Sequence, residues 1–180
     1  MGVSLDGMVA IPRGEGSVPV TEGEWGLAPE DPELTKLKLA WVRAAGAHLM
    51  GRVTYEAMAG YWPTSTHAYA APMNEIPKVV FSSSLDRGDW SDTQIVRGDL
   101  AEQIARLKRE PGGDLLAHGG ARFVQALARH NLIDEYRLIT HPVALGSGLP
   151  MFKDLPAPLR LELVDAKTFG SAILRVYRSV

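Results

Sequence analysis

With 180 residues, 46% hydrophobic and 22% charged, the chain is long enough for one packed domain and short for two. A formal net charge of −2 excludes a general electrostatic attraction to nucleic acid or an anionic membrane, so any anion site must be local. The absence of cysteine excludes disulfides, thiolate nucleophiles and cysteine metal sites. No run approaches the roughly 20 apolar residues of a membrane helix, so the expected location is the cytoplasm.

The opening MGVSLDGMVA reads as the tail of a strand. Residues 11–32 are rich in Gly, Pro and Glu and lack periodicity, which predicts one long loop carrying Trp25. From Pro32 the spacing of Leu34, Leu37, Ala40, Trp41 and Ala44 predicts a helix ending near Gly46, with Leu37 and Trp41 on a core stripe. Strand 47–50, helix 52–59, strand 78–81, strand 93–98, helix 99–110 with Asp99 as N-cap, a strand ending at His118 and helix 121–130 follow. This alternation argues for a parallel α/β sheet. Segments 134–143, 159–169 and 172–180 alternate in polarity, and the last two are joined by Gly170-Ser171 as an antiparallel hairpin. No repeat or linker divides the chain, so a single domain over 1–180 is expected.

In parallel α/β sheets, ligands collect at the carboxyl ends of strands, where helix N-termini offer free N–H groups. Two such junctions carry glycine. In Met50-Gly51-Arg52-Val53-Thr54 the glycine admits a phosphate to the backbone, Arg52 supplies charge and Thr54 a hydroxyl. The second is His118-Gly119-Gly120-Ala121-Arg122, and a third strand end carries Ser82-Ser83-Ser84, with Arg97 ending the next strand. Alone, each glycine reads equally as a turn and the serines as a solvated loop. Together they fit a ligand with a pyrophosphate and one further phosphate. Hydroxyls and arginine in place of a ribose-binding acid, with Asp86 the nearest carboxylate, favour NADPH over NADH.

LMGRVTYEAMAGYWP (49–63), VSLDG (3–7), NEIPKVVFSSSL (74–85), HGGARFVQALARHNLIDEYRL (118–138) and HPVALGSGLPMF (141–152) together resemble the dihydrofolate reductase superfamily. Within it, they are most similar to bacterial proteins related to the reductase domain of riboflavin biosynthesis, the RibD C-terminal domain. The resemblance implies a dihydrofolate-reductase-like three-layer α/β/α fold, with a mostly parallel central sheet and a C-terminal antiparallel hairpin. It implies an NADPH-dependent reductase acting on a pterin-, pyrimidine- or flavin-like heterocycle. Gly51, Arg52, Val53 and Thr54 would hold cofactor phosphates, and Ser82, Ser83 and Ser84 would surround the adenosine 2′-phosphate. Gly119, Gly120, Ala121 and Arg122 would take the pyrophosphate, with His118 beside them. Asp6 would sit near nicotinamide and substrate, and Glu135 on a strand facing substrate. Related proteins pair, so a homodimer is expected. The family's dihydrofolate reductases carry a pterin-binding acid in the first long helix; Asp31-Pro32-Glu33-Leu34 aligns none to that role, which turns the reading away from folate.

Plainer roles stand beside these. Asp6 before Gly7 makes a turn or touches substrate, and Glu135 acts in chemistry or pairs with Arg137 or Arg178. Trp25, Tyr61 and Trp62 line a flat aromatic substrate pocket or shield the core. The five histidines show no metal-ligand spacing, so no metal is expected. A non-catalytic NADP(H)- or small-ligand-binding protein that retains the fold is the rival to the enzyme.

Overall fold

The computed structural model describes residues 1–13, 16–19 and 29–180, which fall into two compact units. Trp25 lies outside the described residues.

The unit of Thr35–Phe123 holds a four-stranded parallel sheet. Its strands are β4 (Ala45–Gly51), β5 (Lys78–Phe81), β6 (Thr93–Val96) and β7 (Asp114–Ala117), in the order β6-β5-β4-β7. β4 is flanked on both sides, and its run Ala47–Met50 is buried without alternation, as a central parallel strand requires. Helix α2 (Arg52–Tyr61) follows β4 without an intervening loop, and α4 (Leu100–Leu107) leads into β7. The Asp99 carboxylate accepts the Glu102 N–H at 2.9 Å, the N-cap expected from sequence. A short helix α3 (Ala70–Glu75), absent from the sequence reading, precedes β5; six residues with Pro72 in the first turn are too few to show a helical period.

Val42, Met50, Tyr55, Met73, Val80 and Trp90 form the core of this unit. In α1 (Pro32–Ala44) the buried side chains are Leu34 and Val42, whereas Leu37 and Trp41 are only half-buried and Ala40 and Ala44 are exposed. Leu34 faces inward as the spacing predicts, while Val42 is buried where Leu37 and Trp41 are expected. The Tyr55 hydroxyl accepts the buried Trp90 N–H at 3.0 Å. Tyr55→Phe strands that donor, and thermal or urea unfolding should show a loss of about 1–3 kcal/mol.

The unit of Met1–Leu34 and Val124–Val180 holds two sheets. One has the order β1-β8-β11-β10, from β1 (Gly2–Val3), β8 (Glu135–Thr140), β10 (Leu161–Phe169) and β11 (Ala172–Ser179). β1 runs parallel to β8, and β11 antiparallel to both β8 and β10. The β10–β11 hairpin closes through Gly170-Ser171, with Gly170 at φ +57°, as the sequence predicts. The second sheet joins β2 (Met8–Arg13), β3 (Gly16–Pro19) and β9 (Leu149–Pro150) in the order β3-β2-β9.

Two expectations are corrected here. The opening ten residues are not one strand tail, because a turn at Asp6-Gly7 separates β1 from β2. Residues 11–32 are not one loop: residues 11–13 extend β2 and pair with β3, Ile11 opposite Val18, while α1 begins at Pro32. Proline and glycine at both strand ends hide the alternation that would reveal this hairpin. No helix among the described residues is long and apolar enough to cross a membrane.

Candidate functional site

The chain passes from β4 outward to β5 and β6, then crosses back to place β7 on the far side of β4. The carboxyl ends of β4 and β7 therefore form a topological switch point, where open α/β sheets bind ligands. Gly51 and α2 follow β4 there; His118-Gly119-Gly120 and α5 (Ala121–Arg129) follow β7.

These two junctions touch. Gly119 and Gly120 sit at φ +33° and +75°, and a Cβ added at Gly120 would lie 2.5 Å from Thr54 Oγ1. A Cβ on Gly51 would lie 3.7 Å from the Phe123 side chain. The glycines thus let the first turns of α2 and α5 converge, with the half-buried Thr54 hydroxyl between them.

The charges at these helix starts are informative. α4 opens with Asp99 and Glu102, and α1 with Glu33, whose N–H is accepted by Asp31 at 2.8 Å; both helices satisfy their own positive ends. Of the two acids near the start of the first long helix, Asp31 caps it and Glu33 lies in its first turn. α2 and α5 have no acid in the first turn and carry Arg52 and Arg122 there instead. A cation at a helix N-terminus opposes the macrodipole, so this arrangement suits an anion from elsewhere. Arg52 donates through Nη1 to both carboxylate oxygens of Glu56, at 3.0 and 2.8 Å, whereas Arg122 has no acidic partner among the described residues.

α5 also links the third strand end. Phe123 lines a cleft of about 240 Å³ with Phe81, Val96 and Leu100 as its apolar surface, and with Ser82, Ser83 and Arg97 as its polar groups. The Phe81 and Phe123 rings lie 5.2 Å apart. Ser82 Oγ accepts the N–H groups of Ser84 at 3.2 Å and Leu85 at 3.0 Å, fixing the turn, and Ser84 does not line the cleft. Arg97 donates to the Leu85 carbonyl at 2.8 Å and to Asp86 at 3.1 Å. Phe81 and Phe123 escape sequence reading because they look like ordinary core positions of a strand and a helix.

The remaining predicted residues are placed differently. Tyr61 and Trp62 lie at the far end of the ten-residue α2, about 15 Å from Arg52 along the helix axis. There they pack edge-to-face, and Trp62 adds contacts with His67 and Tyr69, so the structure does not bring them to the glycine junctions. His118 turns its ring onto His48, Nε2 to Nδ1 at 2.8 Å. Burial lowers the pKa of both rings; His48 depresses His118 further, and the nearby Lys78 depresses His48. Both rings are therefore neutral near neutral pH. The sequence reading missed His48, which is invisible as one more residue of a buried strand. No group of three or more His, Asp or Glu among the described residues could hold a metal.

In the other unit, Asp6 Oδ1 accepts from Ser4 Oγ at 2.5 Å and Leu145 N at 3.1 Å, and Oδ2 accepts from Gly146 N at 2.7 Å. These bonds, the Ser4 hydroxyl foremost, hold its pKa down at about 2. Asp6 is thus an ionised clamp between the 4–7 turn and the 145–146 loop, and a poor proton donor. Because its folded pKa lies below the unfolded value, its contribution to stability is present above the usual carboxylate range and is lost as pH falls towards 2. Asp6→Asn should unfold more easily than wild type near neutral pH, and the gap should close in urea melts taken between about pH 4 and 2. Glu135 pairs with Arg137 at 2.7 Å and Arg178 at 3.5 Å, the plainer of its two expected roles.

A model of the RibD C-terminal domain family matches residues 1–175. The chain belongs to the RibD C-terminal domain family. Two Bacillus subtilis (strain 168) relatives are the uncharacterized proteins YyaP and YwjB. YyaP is 26% identical over 98% of this chain and 90% of its own length, and YwjB 30% identical over 95% and 90%. Among solved structures, a putative riboflavin biosynthesis protein from Shewanella sp. PV-4 is 22% identical, with a TM-score of 0.78 covering 100% of this chain and 96% of the other. The diaminohydroxyphosphoribosylaminopyrimidine deaminase/5-amino-6-(5-phosphoribosylamino)uracil reductase of Thermotoga maritima is 17% identical, with a TM-score of 0.67. There, 99% of this chain matches 55% of the larger protein. These likenesses establish the fold of this RibD C-terminal domain as the α/β fold of the dihydrofolate reductase type.

Proposed function

We propose that this RibD C-terminal domain is an NADPH-dependent reductase that delivers hydride to a flat pterin-, pyrimidine- or flavin-like heterocycle. The observation that carries the reading is the meeting of two helix N-termini, each with an arginine and no acid in its first turn, at the β4/β7 switch point. The main-chain N–H groups of both first turns, Thr54 and Arg122 bind the pyrophosphate, joined by Arg52 once it leaves Glu56. Ser82, Ser83 and Arg97 receive the 2′-phosphate, and the cleft lined by Phe81 and Phe123 takes the adenine against its apolar surface. When bound, the cofactor supplies the hydride, and this chain's residues orient it and exclude water. The reductase activity named for the Thermotoga protein makes a phosphoribosylaminouracil the first substrate to try. Titration of the protein into NADPH should give saturable fluorescence changes at micromolar concentration; no binding at sub-millimolar NADPH overturns the reading.

A second reading, cofactor binding without turnover, is favoured by one observation: both expected catalytic acids, Asp6 and Glu135, are engaged in clamps and ion pairs. NADPH oxidation against dihydrofolate and riboflavin-pathway pyrimidines separates the two.

We also propose a homodimer formed along β10. This nine-residue edge strand is almost wholly exposed, with Leu163 at 54% and Val164 at 45%. An exposed edge strand carrying two adjacent apolar side chains invites pairing with a second copy. Light scattering should report a dimer at micromolar protein, and Leu163→Lys a monomer.

A further inference from the structure

We infer that His48 is a positioning residue for the proposed cofactor site, tethering His118 and thereby holding the Gly119-Gly120 turn at the switch point. The inference rests on the NADPH reading above. His48 is completely buried on β4, and its Nε2 lies 3.2 Å from the Pro72 carbonyl oxygen. A carbonyl can only accept, so His48 Nε2 carries the proton and Nδ1 is left as an acceptor. His118 Nε2, 2.8 Å from that Nδ1, must then be the donor, and the proton order along the chain Pro72–His48–His118 is determined throughout. The two rings meet edge-on, with centroids 4.5 Å apart.

His118 is thereby fastened to β4 twice: through its side chain to His48 and through its main-chain N–H to the Leu49 carbonyl at 2.9 Å. The next two residues are glycines in left-handed conformations, the least constrained pair a chain can have. On their other side, Phe123 N–H closes onto the Gly120 carbonyl at 2.9 Å. The couple is one of the two anchors that hold this turn open for an anion. It also changes the role expected of His118: with Nε2–H committed to His48, the neutral ring has no proton left to offer a phosphate, so it tethers rather than binds. Two apolar side chains would fill the same space without desolvating two imidazoles, so directionality is what the pair adds.

Glutamine can reproduce both bonds of His48, accepting through Oε1 and donating through Nε2, whereas leucine can make neither. Wild type, His48→Gln and His48→Leu would be titrated with NADPH and with inorganic pyrophosphate. Binding to His48→Gln should stay within about twofold of wild type, and His48→Leu should weaken both ligands about tenfold as the freed turn must be ordered on binding. Nitrogen-15 spectra of the wild type, which require no variant to fold, should show His118 protonated at Nε2 and bare at Nδ1. Unchanged binding by His48→Leu, loss of binding in His48→Gln equal to that in His48→Leu, or a wild-type His118 protonated at Nδ1 instead overturns this inference alone. A wild type that binds neither ligand overturns the proposed function and this inference with it.

Discussion

Gly120→Ala should cost the protein both stability and NADPH binding. At φ +75° an alanine sits in the left-handed region, which disfavours any side chain by about 1–2 kcal/mol. Its Cβ would also stand 2.5 Å from Thr54 Oγ1, closer than real Cβ contacts come, so the Thr54 side chain must rotate away or the turn must move. Chemical denaturation should therefore show a loss of about 1–3 kcal/mol. Displacing the turn takes N–H groups away from the pyrophosphate, and NADPH affinity should fall by about 10- to 100-fold, the equivalent of about 1.4–2.8 kcal/mol. The two causes are separable. Thr54→Ala in the Gly120→Ala background removes the clash and leaves the dihedral strain, so a double-mutant cycle on stability should show favourable coupling between the positions. Full additivity would mean that the junctions do not touch as described.

Arg122→Ala should move stability and binding in opposite directions. In the absence of ligand this arginine lies in the first turn of α5, against the helix dipole and without an acid partner among the described residues. Removing it should leave the free protein as stable as wild type or better, by about 0.3–0.5 kcal/mol. NADPH binding should weaken by about 10- to 100-fold, the worth of a charge-assisted hydrogen bond to phosphate. Its dependence on salt should also become shallower. Thermal melts with and without NADPH measure both effects in one experiment. Arg52→Ala should show a smaller loss of affinity, because Arg52 must first part from Glu56. If Arg122→Ala destabilises the free protein and leaves NADPH binding intact, Arg122 is a structural residue and the anion site lies elsewhere.

The amino-acid sequence by itself determined which segments form the parallel strands, though not their order in the sheet. Buried runs such as Ala47–Met50 and Lys78–Phe81, the Asp99 cap and the Gly170-Ser171 hairpin are written in local chemistry: apolar continuity, a side-chain oxygen before a helix, and a residue that tolerates positive φ. The phosphate-type junctions were legible for the same reason, since glycine and arginine at a helix start need only a few neighbours in sequence to be noticed. What depends on distant residues was not legible. Proline and glycine at its strand ends obscured the hairpin of β2 and β3, which only pairing across the chain reveals. The helix predicted over 52–59 already sets Tyr61 and Trp62 away from Gly51, and their packing on each other, His67 and Tyr69 is what the tertiary structure adds. The sequence left Asp6 open between a turn and a contact with substrate because a carboxylate's task is set by what reaches it, here two N–H groups 139 and 140 residues away. The contact of Gly120 with Thr54, the joining of α5 to the serine cleft through Phe123, and the His48–His118 couple arise because β7 crosses back beside β4. That crossing turns three separate strand ends into one candidate site, and tertiary structure alone decided it, because side chains far apart in sequence acquire partners only when the strands are laid side by side.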